Sequence, residues 1–410
     1  MTVRTNPLGG SMRTRTRRTR TRRTHARRTR TRTTALTTLL LAGSLLAAAG
    51  CAKEDDTDPA DAAASAKPRA VKAVAGCGKG SWTDPADLAP DRKPARCAKG
   101  APAPRPLAKE RDLTIATGTL SAEYVAPLQM AVEKGEFKKE GLNVDLKVLP
   151  TPDALPLLAK GDIDAQWAAP EAAVMNGITG GFTIKWAAGN FSPDARSKSG
   201  LWVKLKKGES PGHVPMAGRR LGTMIGKGSV ISYPMSKALK KHGGGLDEIR
   251  FQQLGSADVL TALQNGGTDS AWLLDPVWRK VDGDERYAFL GGQPRGEPLG
   301  GLLFGPNFLT EDPDAGVALL RAYIRTVNTY FAGDYKADKA FVTELAKLLK
   351  TDEAVLRSTP SLRMDWEIRA GTTDRLQAAY EAAGVAEGDR VPEGRAVDRR
   401  LYEEAVGHKR

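Results

Sequence analysis

The stretch VDLKVLPTPDALPLLAKGDIDAQWAAP, Val144 to Pro170, returns in recognisable form as IRFQQLGSADVLTALQNGGTDSAWLLD, Ile249 to Asp275. One offset of 105 residues relates the two copies. Asp153, Leu155, Leu158, Gly161, Asp164 and Trp167 reappear as Asp258, Leu260, Leu263, Gly266, Asp269 and Trp272, while Val144, Leu146 and Leu149 become Ile249, Phe251 and Leu254. Val144, Leu146 and Val148 alternate with polar residues, which predicts a strand. Asp153 stands where it caps a short helix whose Leu155 and Leu158 face inward, and Pro156 falls in the first turn, where a missing N–H costs nothing. Gly161 ends that helix, and Ile163 to Trp167 make a second strand. Strand, helix, strand is the crossover unit of a parallel sheet. Two copies this far apart are too long for a solenoid repeat and predict two similar α/β lobes, each a mostly parallel sheet flanked by helices.

Working outward, Leu113 to Ala116 reads as a strand ending in Thr117 to Ser121, followed by a helix through Val125, Leu128, Ala131 and Val132. Leu221 to Ile225 repeats that opening, with Ser229 heading a helix through Leu239. Thr183 to Ala188 and Tyr287 to Leu290 read as the closing strands of the two lobes. Leu201 to Val203 reads as a strand leaving the first lobe, so residues 111–205 form the first part of lobe one and 206–298 form lobe two. Residues 299–410 return to lobe one, with a strand from Leu302 to Phe308 and helices over 314–331, 338–349, 352–357 and 366–383. Since the chain leaves one lobe and comes back, two segments cross between them, a hinge suited to closure about a ligand.

The net charge of +14 belongs to the N-terminus. Twelve arginines and no acid precede residue 50, so the body carries about +2 (14 less 12) and lacks the basic footprint of a nucleic-acid binder. The arginine block runs into an apolar segment, Ala35 to Ala49, which is too short to span a bilayer and is followed by small residues, the layout of a secretory signal over 1–50. Leu46 to Cys51 resembles the bacterial lipoprotein cleavage box, although Ala48 stands where a larger aliphatic residue is usual. That resemblance implies a lipid on Cys51 and anchorage at the outer face of the cytoplasmic membrane. Arg27 and Arg28 leave the general secretory and twin-arginine routes both open. Residues 51–110, rich in Ala, Pro, Lys, Asp and Gly, read as a flexible tether with nothing to build a core. Within it Cys77 and Cys97 remain as an even pair in an oxidising compartment. They are either bridged, which is worth about 3 kcal/mol, or two free thiols.

A family pattern is carried by Tyr124 to Leu128 with Pro127, by EKGEFKKEGL from Glu133 to Leu142, by Gly161 to Asp164, by Gly228 with Ser229 and by Asp275 with Pro276. On these residues the chain from Asp112 to about Val281 resembles the solute-binding proteins of ABC importers for nitrate, sulfonate, taurine and pyrimidine thiamine precursors. That family shares its fold with the fungal thiamine-pyrimidine synthases. Leu274 stands where the family often has tryptophan, Val277 replaces a common aromatic and Asp275 the more usual glutamate, which leaves the solute open. The resemblance implies the two-lobe periplasmic-binding-protein type 2 fold and delivery of a small solute to a permease driven by a cytoplasmic ATPase. A monomer without metal or cofactor is expected.

Ligands of open α/β sheets bind beyond the carboxyl ends of the strands. The candidates there are Thr119, Ser121, Tyr124, Trp167, Ala168 and Asn190 from lobe one and Gly228, Ser229, Trp272 and Asp275 from lobe two. Gly228 and Ser229 offer free N–H groups and a hydroxyl to a polar ligand, or Ser229 simply caps its helix. Trp167 and Trp272 either sandwich a planar solute or pack in the core. Asp275 either accepts hydrogen bonds from an amine or heterocycle or is an ordinary loop acid. An enzyme acting on a heterocycle and a receptor for a signalling partner are the rival readings. His213, His242 and His408 are scattered, no paired His or Cys spacing makes a metal site, and no nucleophile elbow is present. The iron-binding histidine and cysteines of the fungal synthases have no counterpart.

Overall fold

A computed structural model of the chain describes residues 71–408 except Lys79 and Ala98. The leader, Cys51 and the start of the tether lie outside the described residues. In chain order the first lobe contributes β1 (Arg111–Thr117), α1 (Ala126–Glu133), β2 (Leu142–Val148), α2 (Thr151–Lys160), β3 (Ala165–Ala168), α3 (Ala172–Thr179) and β4 (Lys185–Gly189). A short β5 (Phe191–Ser192) begins the first crossover. The second lobe holds β6 (Gly200–Lys204), β7 (Arg220–Thr223), α4 (Ser232–Lys241), β8 (Arg250–Gln253), α5 (Ser256–Asn265), β9 (Ser270–Leu273) and β10 (Tyr287–Gly292). The return supplies β11 (Gly301–Phe304), α6 (Pro313–Tyr330), α7 (Lys339–Leu349), α8 (Glu353–Arg357), β12 (Arg363–Met364), α9 (Thr372–Ala382), α10 (Glu393–Ala396) and α11 (Arg400–Val406).

The two sheets have one order. The first runs β2-β1-β3-β11-β4 and the second, read in the same sense, β8-β7-β9-β6-β10. In each, the fourth strand is the antiparallel one, and in each it arrives from the neighbouring crossover. The boundary expected at 205 therefore moves upstream. Leu201, Trp202 and Val203 do not leave lobe one; they pair with Trp272, Ala271 and Ser270 inside the second sheet, because that sheet needs an apolar central strand and Gly200–Val203 are all buried.

The repeat has an atomic basis. Gly161 and Gly266 end α2 and α5 in the left-handed conformation, at φ 79° and 77°, which glycine adopts without a Cβ penalty. Three residues later Asp164 donates its N–H to the Thr114 carbonyl at 3.0 Å and accepts the Thr114 N–H on its carboxylate at 2.7 Å. Asp269 does the same with Arg220, at 3.0 Å each way. The repeated aspartates thus latch the strand that follows each helix to the first strand of the lobe. Asp153 sits in the first turn of α2 rather than at its cap. The EKGEFKKEGL run is structural too: Glu136 and Glu140 take Arg325 and Arg321 of α6 in buried ion pairs of 2.6 Å.

Two further expectations are corrected. The segment 366–383 is helical only from Thr372, since Asp365, Glu367 and Arg369 alternate with Trp366 and Ile368 and all five are buried, a two-residue period that suits an extended chain. The tether is not loose throughout. Cys77 and Cys97 are disulfide-bonded, and the part beyond Val71 is strapped to this extended segment. Arg92 pairs with Asp365 and Glu367, Glu367 also receives Arg369 at 2.8 Å and Thr83 at 2.9 Å, and Trp82 stacks on His408 with ring centroids 4.7 Å apart. The composition argument missed this because the strap attaches through charges and one tryptophan rather than an apolar core of its own. Arg92 also donates to the Gly296 carbonyl of the second crossover at 2.8 Å, and Asp365 donates its N–H to Asn190 at the start of the first at 3.0 Å. The strap therefore reaches the second crossing segment directly and the first through Asp365.

Removing one partner of a buried ion pair leaves an uncompensated charge, so Arg92→Met is expected to destabilise by about 3–5 kcal/mol, read as a lowered midpoint in urea unfolding. Asp164→Ala and Asp269→Ala should each cost about 1–3 kcal/mol by orphaning a backbone N–H, read in the same urea titration. The Asp269 carboxyl is held below its ordinary range chiefly by the Arg220 hydrogen bonds. Its share of stability is therefore present above the usual carboxylate pKa and is lost as pH falls through the depressed value.

Candidate functional site

The loops beyond the carboxyl ends of the parallel strands are built alike in the two lobes. After β1, the Thr117 hydroxyl donates to the Thr119 carbonyl at 3.1 Å; after β7, Thr223 donates to Ile225 at 3.0 Å. The loops meet across the cleft at one backbone bond, from the Ala172 N–H opening α3 to the Gly228 carbonyl, 2.8 Å long. A Cβ on Gly228 would come within 3.3 Å of the Ala172 methyl, so glycine permits this approach.

A polar side chain beside that bond has no protein partner among the described residues. Ser229 is 4% exposed, and among the described residues none offers its hydroxyl a hydrogen bond. The indole N–H groups of Trp167 and Trp272 are equally buried and unpartnered. Next to Ala172, the Glu171 carboxylate is largely enclosed without a partner among the described residues, and burial pushes it up to about 7. Tyr124, raised by burial and by the Glu171 charge, lies over Phe191 with ring centroids 6.2 Å apart and planes 21° apart. A second charged group stands within lobe one near Asp275 of lobe two. Lys336 pairs with Glu123 at 2.7 Å. Burial raises Asp275 of lobe two, opposed by the Trp278 indole N–H bonded to it and by the Lys336 charge. Burial likewise raises Glu123, opposed by Lys336.

The sequence-based candidates separate into groups. Tyr124, Gly228 and Ser229 lie at the inter-lobe contact. Thr119 and Ser121 bond to each other in the β1 loop, the Ser121 N–H donating to the Thr119 hydroxyl at 3.1 Å, and Ser121 is exposed. Ala168 ends β3 opposite Gly301 of the return strand. Asn190 belongs to the hinge, its side-chain carbonyl taking the Phe191 N–H at 2.6 Å. Trp167 and Trp272 do not form a sandwich: Trp167 meets Tyr323 of α6 edge-on at 5.5 Å, Trp272 packs in the main core, and they are 3% and 2% exposed. Alternation explains this, because each indole points to the helix-covered face of its own sheet. Ser229 precedes α4, which begins at Ser232, so it is not the helix cap. Glu171, Phe191, Glu123 and Lys336 were missed. Glu171 left a trace: Pro170-Glu171 aligns at the repeat offset with Asp275-Pro276, an acid beside a proline at the mouth of each lobe in reversed order.

Residues 122–290 match the NMT1/THI5-like family. No curated protein matches the chain significantly by sequence. Among solved structures, the alkanesulfonate-binding protein SsuA from Xanthomonas axonopodis pv. citri bound to MOPS is 18% identical, with 72% of this chain and 100% of that chain covered and a TM-score of 0.53. The ligand-binding component of an ABC-type import system from Staphylococcus aureus with zinc bound is 16% identical over 72% and 99%, TM-score 0.54. The aliphatic sulphonate-binding protein SsuA from Escherichia coli is 15% identical over 70% and 92%, TM-score 0.51. The chain thus has the periplasmic-binding-protein fold that the resemblance implied, with the two α/β lobes expected from the repeat.

Because both tryptophans are core residues, Trp167→Ala and Trp272→Ala should each cost about 3–5 kcal/mol. Thermal unfolding is expected to show the loss in the empty protein, before any solute is added.

Proposed function

We propose that this chain is the extracytoplasmic solute-binding lipoprotein of an ABC importer, anchored through Cys51, which closes its lobes on a small organic solute and presents it to the permease and its ATPase. The observation that carries the reading is the Ser229 hydroxyl, buried without a partner among the described residues and next to Gly228, where the loops of two equivalent lobes touch. Buried polar groups ordinarily find partners, and a solute enclosed between the lobes supplies them. The sulfonate-binding fold relatives and the NMT1/THI5-like match support the same role, and the family resemblance adds nitrate, taurine and pyrimidine-like heterocycles to sulfonates among the solutes to test. Closure needs only differential affinity for the closed form, with no covalent chemistry and no cofactor.

Mass spectrometry of material released from the natively purified protein is expected to show one small solute. Adding it back at about 100 times its dissociation constant should stabilise the fold by about 2.7 kcal/mol. Turnover of that solute would overturn the receptor reading in favour of an enzyme. Cys51→Ser should move the protein from the membrane to the soluble fraction; unchanged membrane partition would remove the lipid anchor.

A further inference from the structure

We propose that Glu171 is the specificity-determining acid of the cleft, and that the solute presents to it a positively charged nitrogen, an amine or an amidine. This rests on the receptor reading above and goes further by assigning the solute a charge.

Geometry carries the assignment. Glu171 stands immediately before the Ala172 N–H that bonds to Gly228, so bringing the lobes together encloses its carboxylate. The other acids near the contact are already engaged, Glu123 by Lys336 and Tyr335 and Asp275 by the Trp278 indole. Of these acids, Glu171 is the one without a partner among the described residues. The groups facing it do not supply one: the Tyr380 hydroxyl is committed to the Pro170 carbonyl at 2.9 Å, Tyr124 lies over Phe191, and the Lys227 ammonium of the facing loop sits 5.1 Å from the Phe251 ring. A second, independent group points the same way. The Ser229 hydroxyl, beside Gly228, is buried and unpartnered, which gives the closed lobes two open polar positions, one on each side of the bond between them.

An ionised carboxylate taken out of water without a partner opposes burial, so in the empty protein Glu171 resists closure. A cation on the solute removes that opposition and an oxyanion adds to it. The Tyr124 and Phe191 rings offer a planar solute a face, and cations favour aromatic surroundings. Selection for positive charge and closure on binding therefore share one cause. The carboxyl is pushed up to about 7 in the closed form from its ordinary value, so protonation favours closure. Lowering the pH through that value should close the empty lobes, and raising it should open them.

The full chain, purified empty, would be titrated with benzamidine and with benzenesulfonate, planar probes of similar size and opposite charge, and followed by calorimetry and small-angle X-ray scattering. Wild type is expected to bind benzamidine at least tenfold more tightly than benzenesulfonate at pH 8. Glu171→Gln should erase that ratio, and should give the compact scattering profile without solute at pH 8, where the empty wild type is extended. Ser229→Ala, a smaller perturbation, should weaken benzamidine binding without reversing the preference. Preference for benzenesulfonate, or a charge preference that survives Glu171→Gln, would overturn the assignment. If neither probe binds but the co-purifying solute compacts the protein, the cation assignment fails and the receptor reading stands. If nothing compacts it, both fail.

Discussion

The two-way bond between Asp164 and Thr114, with its copy between Asp269 and Arg220, determines where the third strand of each lobe enters its sheet. A helix ended by a left-handed glycine delivers the chain three residues short of the sheet, and the aspartate closes that gap by engaging both backbone groups of the first strand. Once the third strand is held, its carboxyl end is held, and with it the loop that reaches the cleft. In lobe one that loop leads to Ala172, which meets Gly228 of the loop after β7, and in lobe two it leads to Asp275. Two carboxylates that never face the cleft thus fix the strands that enter it.

The lobes were legible because this device repeats in sequence at one offset, and because Gly161 and Gly266 occupy positions where few other residues serve. Sheet order was less accessible. The antiparallel strand of each sheet comes from a crossing segment, and Leu201 to Val203 look the same whether they end one lobe or fill the middle of the other. The strap was misread for a related reason: Arg92, Asp365 and Glu367 are far apart in sequence, and opposite charges carry no register that would pair them beforehand. In the site, residue type was a good guide to Ser229 and Gly228 and a poor one to the tryptophans. A strand-end indole faces the helices or the cleft according to one step of alternation, and in both lobes the step favours the helices.

Electrostatics sets the cleft apart from the rest of the molecule. Elsewhere in the first lobe buried acids are paired, as Glu136 and Glu140 are with Arg325 and Arg321, and each of their carboxylate oxygens has a donor. At the lobe contact the carboxyls are raised, Asp275 and Glu123 in part and Glu171 the most clearly. That asymmetry is what a closing surface requires. Charges satisfied within one lobe leave its shape unaffected by what enters the cleft, whereas a charge left open at the seam makes closure responsive to the visitor.

The strap also alters the mechanics of the crossing. Two bare segments between lobes can slide past each other as well as bend. Here Arg92 grips the second segment at the Gly296 carbonyl and the return segment at Asp365 and Glu367, while Asp365 holds the first segment at Asn190. Both crossings are tied to one buried arginine and its partner, so a motion that shears them apart must first break that charge pair.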